Sequence, residues 1–382
     1  MGFAAWMTGC AICVCGLAAD DAPQAKPEPP SPPDEWTTAI EGKVGLWQVT
    51  AGSIKPSEGV IPFPAGIGSL QSEHLQRNFT VSFEWKSTGK GPSQAALYFR
   101  ASTKAGVPSG PSISLVDREA GLLRGETPKK SSILAVANEW NSFRLEVAGD
   151  TARLKIKDLD AWEVKELAVD PGVLAIVADL PVGAGFQIRN LAVVESGYRP
   201  LFNGKDTEGW SGGGGPAEAC WKVDGGLLQC TGAKGPWLKS KEEFGDFNLR
   251  LEYRLPAAGN SGVYVRVPAD GNHHGKDSGV EIQVLDDAHK SYARLQKYQY
   301  TGSVYAVAPA MERVARPAGE WNSLEINCKG SSYRVVHNGV VIVDVDESKF
   351  PALKERRLKG FLGLQNHSSV VSFRNIRLGP AE

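Results

Sequence analysis

The sequence predicts an all-β protein made of two tandem sandwiches, and three observations carry that expectation. Short runs rich in Val, Ile, Tyr, Phe and Trp are punctuated by turns, with 43 Gly and 24 Pro in 382 residues, which favours many short strands over helices. Within the runs the side chains alternate. Leu249, Leu251 and Tyr253 share one face and Arg250, Glu252 and Arg254 the other, the period of a half-buried antiparallel strand. Finally, the framework repeats at about half the chain length, the mark of one structural unit used twice. Trp47-Gln-Val matches Trp221-Lys-Val, and Phe79-Thr-Val-Ser-Phe-Glu-Trp85 matches Phe247-Asn-Leu-Arg-Leu-Glu-Tyr253. Ala96-Leu-Tyr-Phe-Arg100 matches Val263-Tyr-Val-Arg266, and Glu139-Trp-Asn-Ser142 matches Glu320-Trp-Asn-Ser323. Phe186-Gln-Ile-Arg-Asn-Leu191 matches Ser372-Phe-Arg-Asn-Ile376. Helical periodicity is confined to a short piece from Ala288 to Gln296, so a β-sandwich or jelly roll is expected in each copy.

The segments follow from composition. Residues 1–19 read as a signal peptide, because Phe3 to Ala19 is apolar and ends in Gly16, Ala18 and Ala19, although no Lys or Arg precedes it. An exported, periplasmic or extracellular protein is expected, with no integral membrane span in the mature chain, since the apolar stretch is short. Cys10, Cys13 and Cys15 leave a lipid anchor open, without a strong lipobox ahead of any of them. Residues 20–35 are Pro-rich and form a linker. Residues 36–195 hold the first copy and 198–382 the second, with the boundary near Gly197. A formal charge of −1 and the lack of a basic run exclude nucleic acid as a partner.

Three cysteines remain beyond the leader: Cys220, Cys230 and Cys328. A hairpin pairing about Gly225 sets Cys220 opposite Cys230, which allows a cross-strand disulfide; two ordinary small residues in a hairpin is the other reading. No Cys/His spacing resembles a zinc site.

The second half carries a run of motifs in order: Leu201-Phe-Asn-Gly-Lys-Asp206 with Gly209-Trp210, Gly259-Asn-Ser-Gly-Val-Tyr-Val-Arg266, Val280-Glu-Ile-Gln-Val-Leu-Asp286, Thr301-Gly-Ser-Val-Tyr305, Glu320-Trp-Asn322 and Gly363-Leu-Gln-Asn-His367. Over roughly residues 199 to 379 it resembles the 3-keto-disaccharide hydrolase family. The resemblance implies a concanavalin A-like lectin/glucanase jelly roll, and cleavage of glycosides already oxidised at C3. The first half resembles that fold in its framework residues alone.

Strand geometry selects the candidates, since side chains two apart share a face. Tyr264 pairs in this way with Arg266, Glu281 with Gln283, and Gln365 with His367. The expected catalytic set is Glu281, His367, Arg266 and, if the chain bends near Leu285, Asp286. Tyr264, Gln283, Gln365, Asn260 and Tyr305 are the expected substrate contacts. The competing readings are solvent-facing polar positions and an Arg266–Glu281 structural ion pair. His273, His274 and His289 sit in polar loop sequence and read as solvated. Gly212 to Gly215 reads as a flexible turn, since it lacks the Lys-Ser/Thr of a phosphate loop.

The chemistry implied by the resemblance starts from a C3 ketone, which acidifies the C2 proton. A base removes that proton, the enolate expels the C1 oxygen, and water then adds. Glu281 or His367 would act as base or acid, with Arg266 or a bound divalent cation stabilising the enolate. No cofactor is certain, and no metal ligands are assigned. Hydrolysis by two carboxylates needs a matched pair, and Glu281 alone is well placed. In the first copy Arg100, Ser112, Val177 and Asp179 stand where Arg266, Glu281, Gln365 and His367 stand in the second. Residues 36–195 are therefore expected to be non-catalytic. The alternative for the whole chain is a non-catalytic glycan-binding or cell-surface adhesion protein.

Overall fold

The computed structural model describes residues 39–40, 43–44 and 47–382, apart from 90, 92–93, 104–106 and 126. The expected signal peptide at 1–19, with its three cysteines, and the expected linker at 20–35 lie outside the described residues. The chain divides into Met1–Pro32 and one compact unit, Pro33–Glu382.

Alternating apolar residues build two sheet pairs, each closing on its own core. In the first sandwich an eight-stranded antiparallel sheet packs on a six-stranded one around Phe83, Trp85, Phe143 and Leu97. Its last strand ends at Glu195. The second sandwich sets a seven-stranded path, Trp221–Asp224 through Val340–Val345, against a five-stranded sheet around Phe247, Tyr253, Val265 and Phe373. The five strands are β1 (Trp210–Gly213), β2 (Trp237–Phe244), β3 (Asn260–Val267), β4 (Val280–Leu285) and β5 (Gly360–Leu364). Their order across the sheet is β1-β2-β5-β3-β4. The protein is all-β, two tandem jelly-roll sandwiches. Among the described residues the helices are single 3-10 turns, including Lys290–Tyr292 within the Ala288–Gln296 stretch, and none is long and apolar enough to cross a membrane.

Register confirms the duplication and corrects one match. Trp47 pairs with Ser72 and Trp210 with Ser240. Each serine hydroxyl turns back on a carbonyl two residues ahead and accepts from a neighbouring strand, so Trp47 is the counterpart of Trp210, not of Trp221. The remaining matches hold. Glu84 binds Arg189 and Asn190, as Glu252 binds Arg374 and Asn375, and Trp140 and Trp321 each stack on the arginine of their copy.

The Cys220–Cys230 disulfide is not formed, and the reason is one residue of register. The turn is the two-residue Gly225-Gly226, which pairs Asp224 with Leu227 and therefore Trp221 with Cys230. Both thiols are free and buried, Cys220 donating to Pro236 O and Cys230 to the Asn366 side chain.

Buried beside the core, His337 stacks on Tyr253, with Nε2 2.9 Å from the phenolic oxygen. Burial, helped by the Arg316 charge, pushes its pKa down to about 3. It is neutral in the fold and protonates near 6.5 when unfolded. Its contribution is therefore complete above pH 6.5 and is lost as the pH falls toward 3, up to roughly 4 kcal/mol. Denaturation midpoints measured from pH 7 to 4 should fall steeply for the native chain and less steeply for His337→Gln.

Candidate active site

The outer face of the five-stranded sheet collects the chemistry. Val263, Val265, Ile282 and Val284 point into the core, which turns Tyr264, Glu281 and Gln283 outward. Tyr264 is the direct cross-strand partner of Glu281 and of Gly363. From the end of β5, Gln365 Nε2 donates to Tyr264 Oη at 2.9 Å, so the phenolic proton is free to point elsewhere. The Gln365 amide oxygen is buried without a protein partner, as is that of Asn260. Gly262 makes room for the carboxylate: a Cβ there would lie 2.1 Å from Glu281 Oε1. Tyr305 covers the same end of β4, its N–H donating to Glu281 O.

His273, expected to be solvated, is instead brought onto this face. It lies in the loop joining β3 to β4, which folds back over the sheet. Arg356 holds that loop by donating to His273 O, Gly279 O and the Ser278 hydroxyl. The His273 ring stacks on Tyr264 at 4.7 Å and its Nε2 lies 3.1 Å from Glu281 Oε2. Its Nδ1 lies 3.1 Å from Gly271 O, and a carbonyl accepts only, so Nδ1 carries a proton. One further proton must then sit between Nε2 and the carboxylate. Burial lowers the His273 pKa, but the bonds to Glu281 and Gly271 outweigh it and the pKa is raised above the ordinary imidazole value. Exposed His274 is lowered by desolvation and by the His273 charge. Burial, then the Glu281 charge, raises Tyr264, which keeps its proton at neutral pH.

The other expected residues divide. Gln283 lies on the face but turns its amide oxygen to Val284 N. His367 is exposed at the rim, 3.4 Å from Asn260 Nδ2. Arg266 does not join the site. A bulge between Tyr264 and Val267 puts it at φ +56° and turns it inward, where it donates to Gly245 O, Gly330 O and Asp246. Arg100 does the same in the first copy, at φ +46°, bonding Arg77 O, Gly149 O and Ala168 O. Arg266 makes its ion pair with Asp246 at 2.9 Å, not with Glu281. Asp286 is also elsewhere, accepting from Ala258 N to close the turn before β3. For a divalent cation the face offers Glu281 and His273, and among the described residues no group of three His, Cys, Asp or Glu side chains is placed to hold one.

Next to Tyr264 and Gln365 an open cleft of about 700 Å³ runs toward β1, walled by Gly213–Gly215, Pro236, Trp237 and Asn366. Glu281, paired with Tyr264 on the next strand, and His273, stacked on the Tyr264 ring, adjoin the cleft without lining it.

The chain matches the sequence model of the 3-keto-alpha-glucoside-1,2-lyase-like domain twice, over residues 23–176 and 197–379. It belongs to that family. A 3-keto-disaccharide hydrolase from Bacteroides thetaiotaomicron is 28% identical over 234 residues, covering 49% of this chain and 80% of the relative. Two crystal structures of proposed glycosyl hydrolases from Parabacteroides distasonis are 28% and 25% identical. They cover 48% and 49% of this chain, and 98% and 94% of their own, with TM-scores of 0.43 and 0.41. Of the two lyase-like domains, the first lacks the pair described above. Tyr98 pairs with Ser112 as Tyr264 pairs with Glu281, and Ala96 stands where Gly262 makes room. The carboxylate and the space for it are missing together.

Proposed function

We propose that the second lyase-like domain cleaves glycosides carrying a ketone at C3, by elimination across C1 and C2 followed by hydration. The carrying observation is the Glu281–His273 pair, which holds one proton between an acceptor and a donor beside the Tyr264 phenol. Family membership and the Bacteroides relative support glycosidic-bond cleavage as the reaction. Glu281 takes the C2 proton, made acidic by the ketone. Tyr264, its oxygen already accepting from Gln365, donates to the enolate oxygen. His273 gives its proton to the departing C1 oxygen, and water then adds its hydroxyl to C1 and a proton to C2. Arg266 takes no part, and no step is routed through a cation. Export from the cytoplasm belongs to the same proposal, as does a non-catalytic first domain.

The test is sugar release from 3-keto-glucosides and 3-keto-disaccharides beside their unoxidised parents. Turnover of the oxidised substrates alone, slowed severalfold by deuterium at C2, is the expected result. Equal cleavage of unoxidised sugars would overturn the mechanism; binding without cleavage of any would leave a glycan-binding protein.

A further inference from the structure

Trp237 walls the cleft beside Tyr264 and touches the catalytic face. Its ring meets Tyr264 edge-on, centroids 5.4 Å apart. It lies against bare backbone. A Cβ added at Gly213 or Gly363 would come within 2.2 or 2.3 Å of the indole. The first copy shows that this fit is not a requirement of the fold. Gln71 pairs with Ala175 as Lys239 pairs with Gly363, so Ser69 stands at the position of Trp237 and Ala175 at that of Gly363. Indole and glycine are lost together, in the copy that also lacks the carboxylate.

Position then gives the role. Trp237 opens β2 and Glu281 lies on β4, with β5 and β3 between them. Three strand spacings separate the two backbones by about 14 Å, and the indole reaches across β5 to end beside the Tyr264 ring, one residue pair from Glu281. With the oxidised ring over Tyr264 and Glu281, a group leaving from C1 toward the open cleft arrives at the indole. We infer that Trp237 is the platform of a leaving-group subsite, which favours substrates whose C1 substituent carries a ring with a flat apolar face, a second sugar above all. The C–H face of a pyranose against an indole buries apolar area without desolvating hydroxyls, and the negative π face attracts the weakly positive C–H groups.

This inference rests on the proposed reaction at Glu281. Trp237→Ala and Trp237→Phe should be compared with the native chain on three substrates: a 3-keto-disaccharide, an aryl 3-keto-glucoside and methyl 3-keto-glucoside. For Trp237→Ala we expect KM to rise about tenfold on the two ring-bearing substrates and to stay within about twofold on the methyl glycoside. Trp237→Phe, which still fills the glycine-lined slot, should fall between. A rise confined to the disaccharide assigns the subsite to sugars; a rise shared with the aryl substrate assigns it to flat rings in general. An equal rise on all three substrates, or no change on any, overturns the inference. Glu281→Gln separates the two claims. If it leaves turnover intact the proposed reaction fails, whereas equal KM effects at Trp237 with Glu281 essential sink the subsite alone.

Discussion

Glu281→Gln is expected to lower kcat/KM on a 3-keto-glucoside by about a thousandfold, within the range that removal of a positioned acid or base produces. The substitution keeps the shape that Gly262 accommodates, and the new amide can donate to His273 Nε2. Thermal stability should therefore change little. A second readout ties the loss to the pair. Burial lowers the His273 pKa, but the bonds to Glu281 and Gly271 together outweigh it, so with a neutral partner at 281 the imidazole titrates lower than in the native chain. An NMR titration of the imidazole ring reports this without substrate. Substantial residual activity, or an unchanged His273 titration, would remove Glu281 from its role.

The sequence made the fold legible because strand alternation and turn residues are local signals, and because the framework occurs twice. The same logic brought Tyr264, Glu281, Gln283 and Gln365 to one face. It failed where local periodicity stops. Arg266 was assigned by counting two residues from Tyr264, and the bulge between Tyr264 and Val267 inverts that count. A signal did exist: Arg100 repeats Arg266 in a copy that lacks the carboxylate, which marks a framework residue. His273 was missed for another reason. It lies in the β3–β4 loop, whose path is set by Arg356 and by the backbone bonds Asp277 N to Glu355 O and Arg357 N to Ser278 O, all from a segment some 80 residues away in sequence. No periodic pattern encodes such a docking. Trp237 had no local signal either, although glycines at 213 and 363 become informative once the strands are aligned.

The first copy has a physical role that does not depend on chemistry of its own. Its final strand residue, Glu195, lies fully buried between Arg250 and Arg377 of the second sandwich. Arg250 also meets Glu325 at 3.2 Å and stacks on Tyr198, and its guanidinium donates to Leu75 O. Glu382 and Arg334 join the same cluster, so three arginines face three glutamates in an interface largely closed to water. Burial alone would raise the Glu195 and Glu325 carboxylates, yet Arg377 and Arg250 hold Glu195 well below the usual range, and Arg250 with His74 holds Glu325 at about 2. The back sheet of the second sandwich carries buried charges that the first copy helps to cover and pair.

Arg250→Met should therefore destabilise the chain by about 3–5 kcal/mol, the usual consequence of removing one partner from a buried ion pair. Glu195 keeps Arg377, but Glu325 is left with the more distant Arg334 at 3.9 Å, the Asn248 amide, the Leu75 N–H and His74 as its neighbours. The pH dependence separates this from a simple packing defect. In the native chain the depressed carboxylates contribute stability above their unfolded pKa of about 4.3, lost as the pH falls toward 2. This window lies below most of the His337 window, so the two are resolvable. In Arg250→Met the carboxyl of Glu325 rises and takes up a proton inside the fold. The deficit measured by denaturant titration should then be largest near pH 7 and shrink toward pH 4. A deficit of the same size at every pH would reduce Arg250 to a space-filling side chain. An unchanged midpoint would mean that the two sandwiches do not depend on this contact.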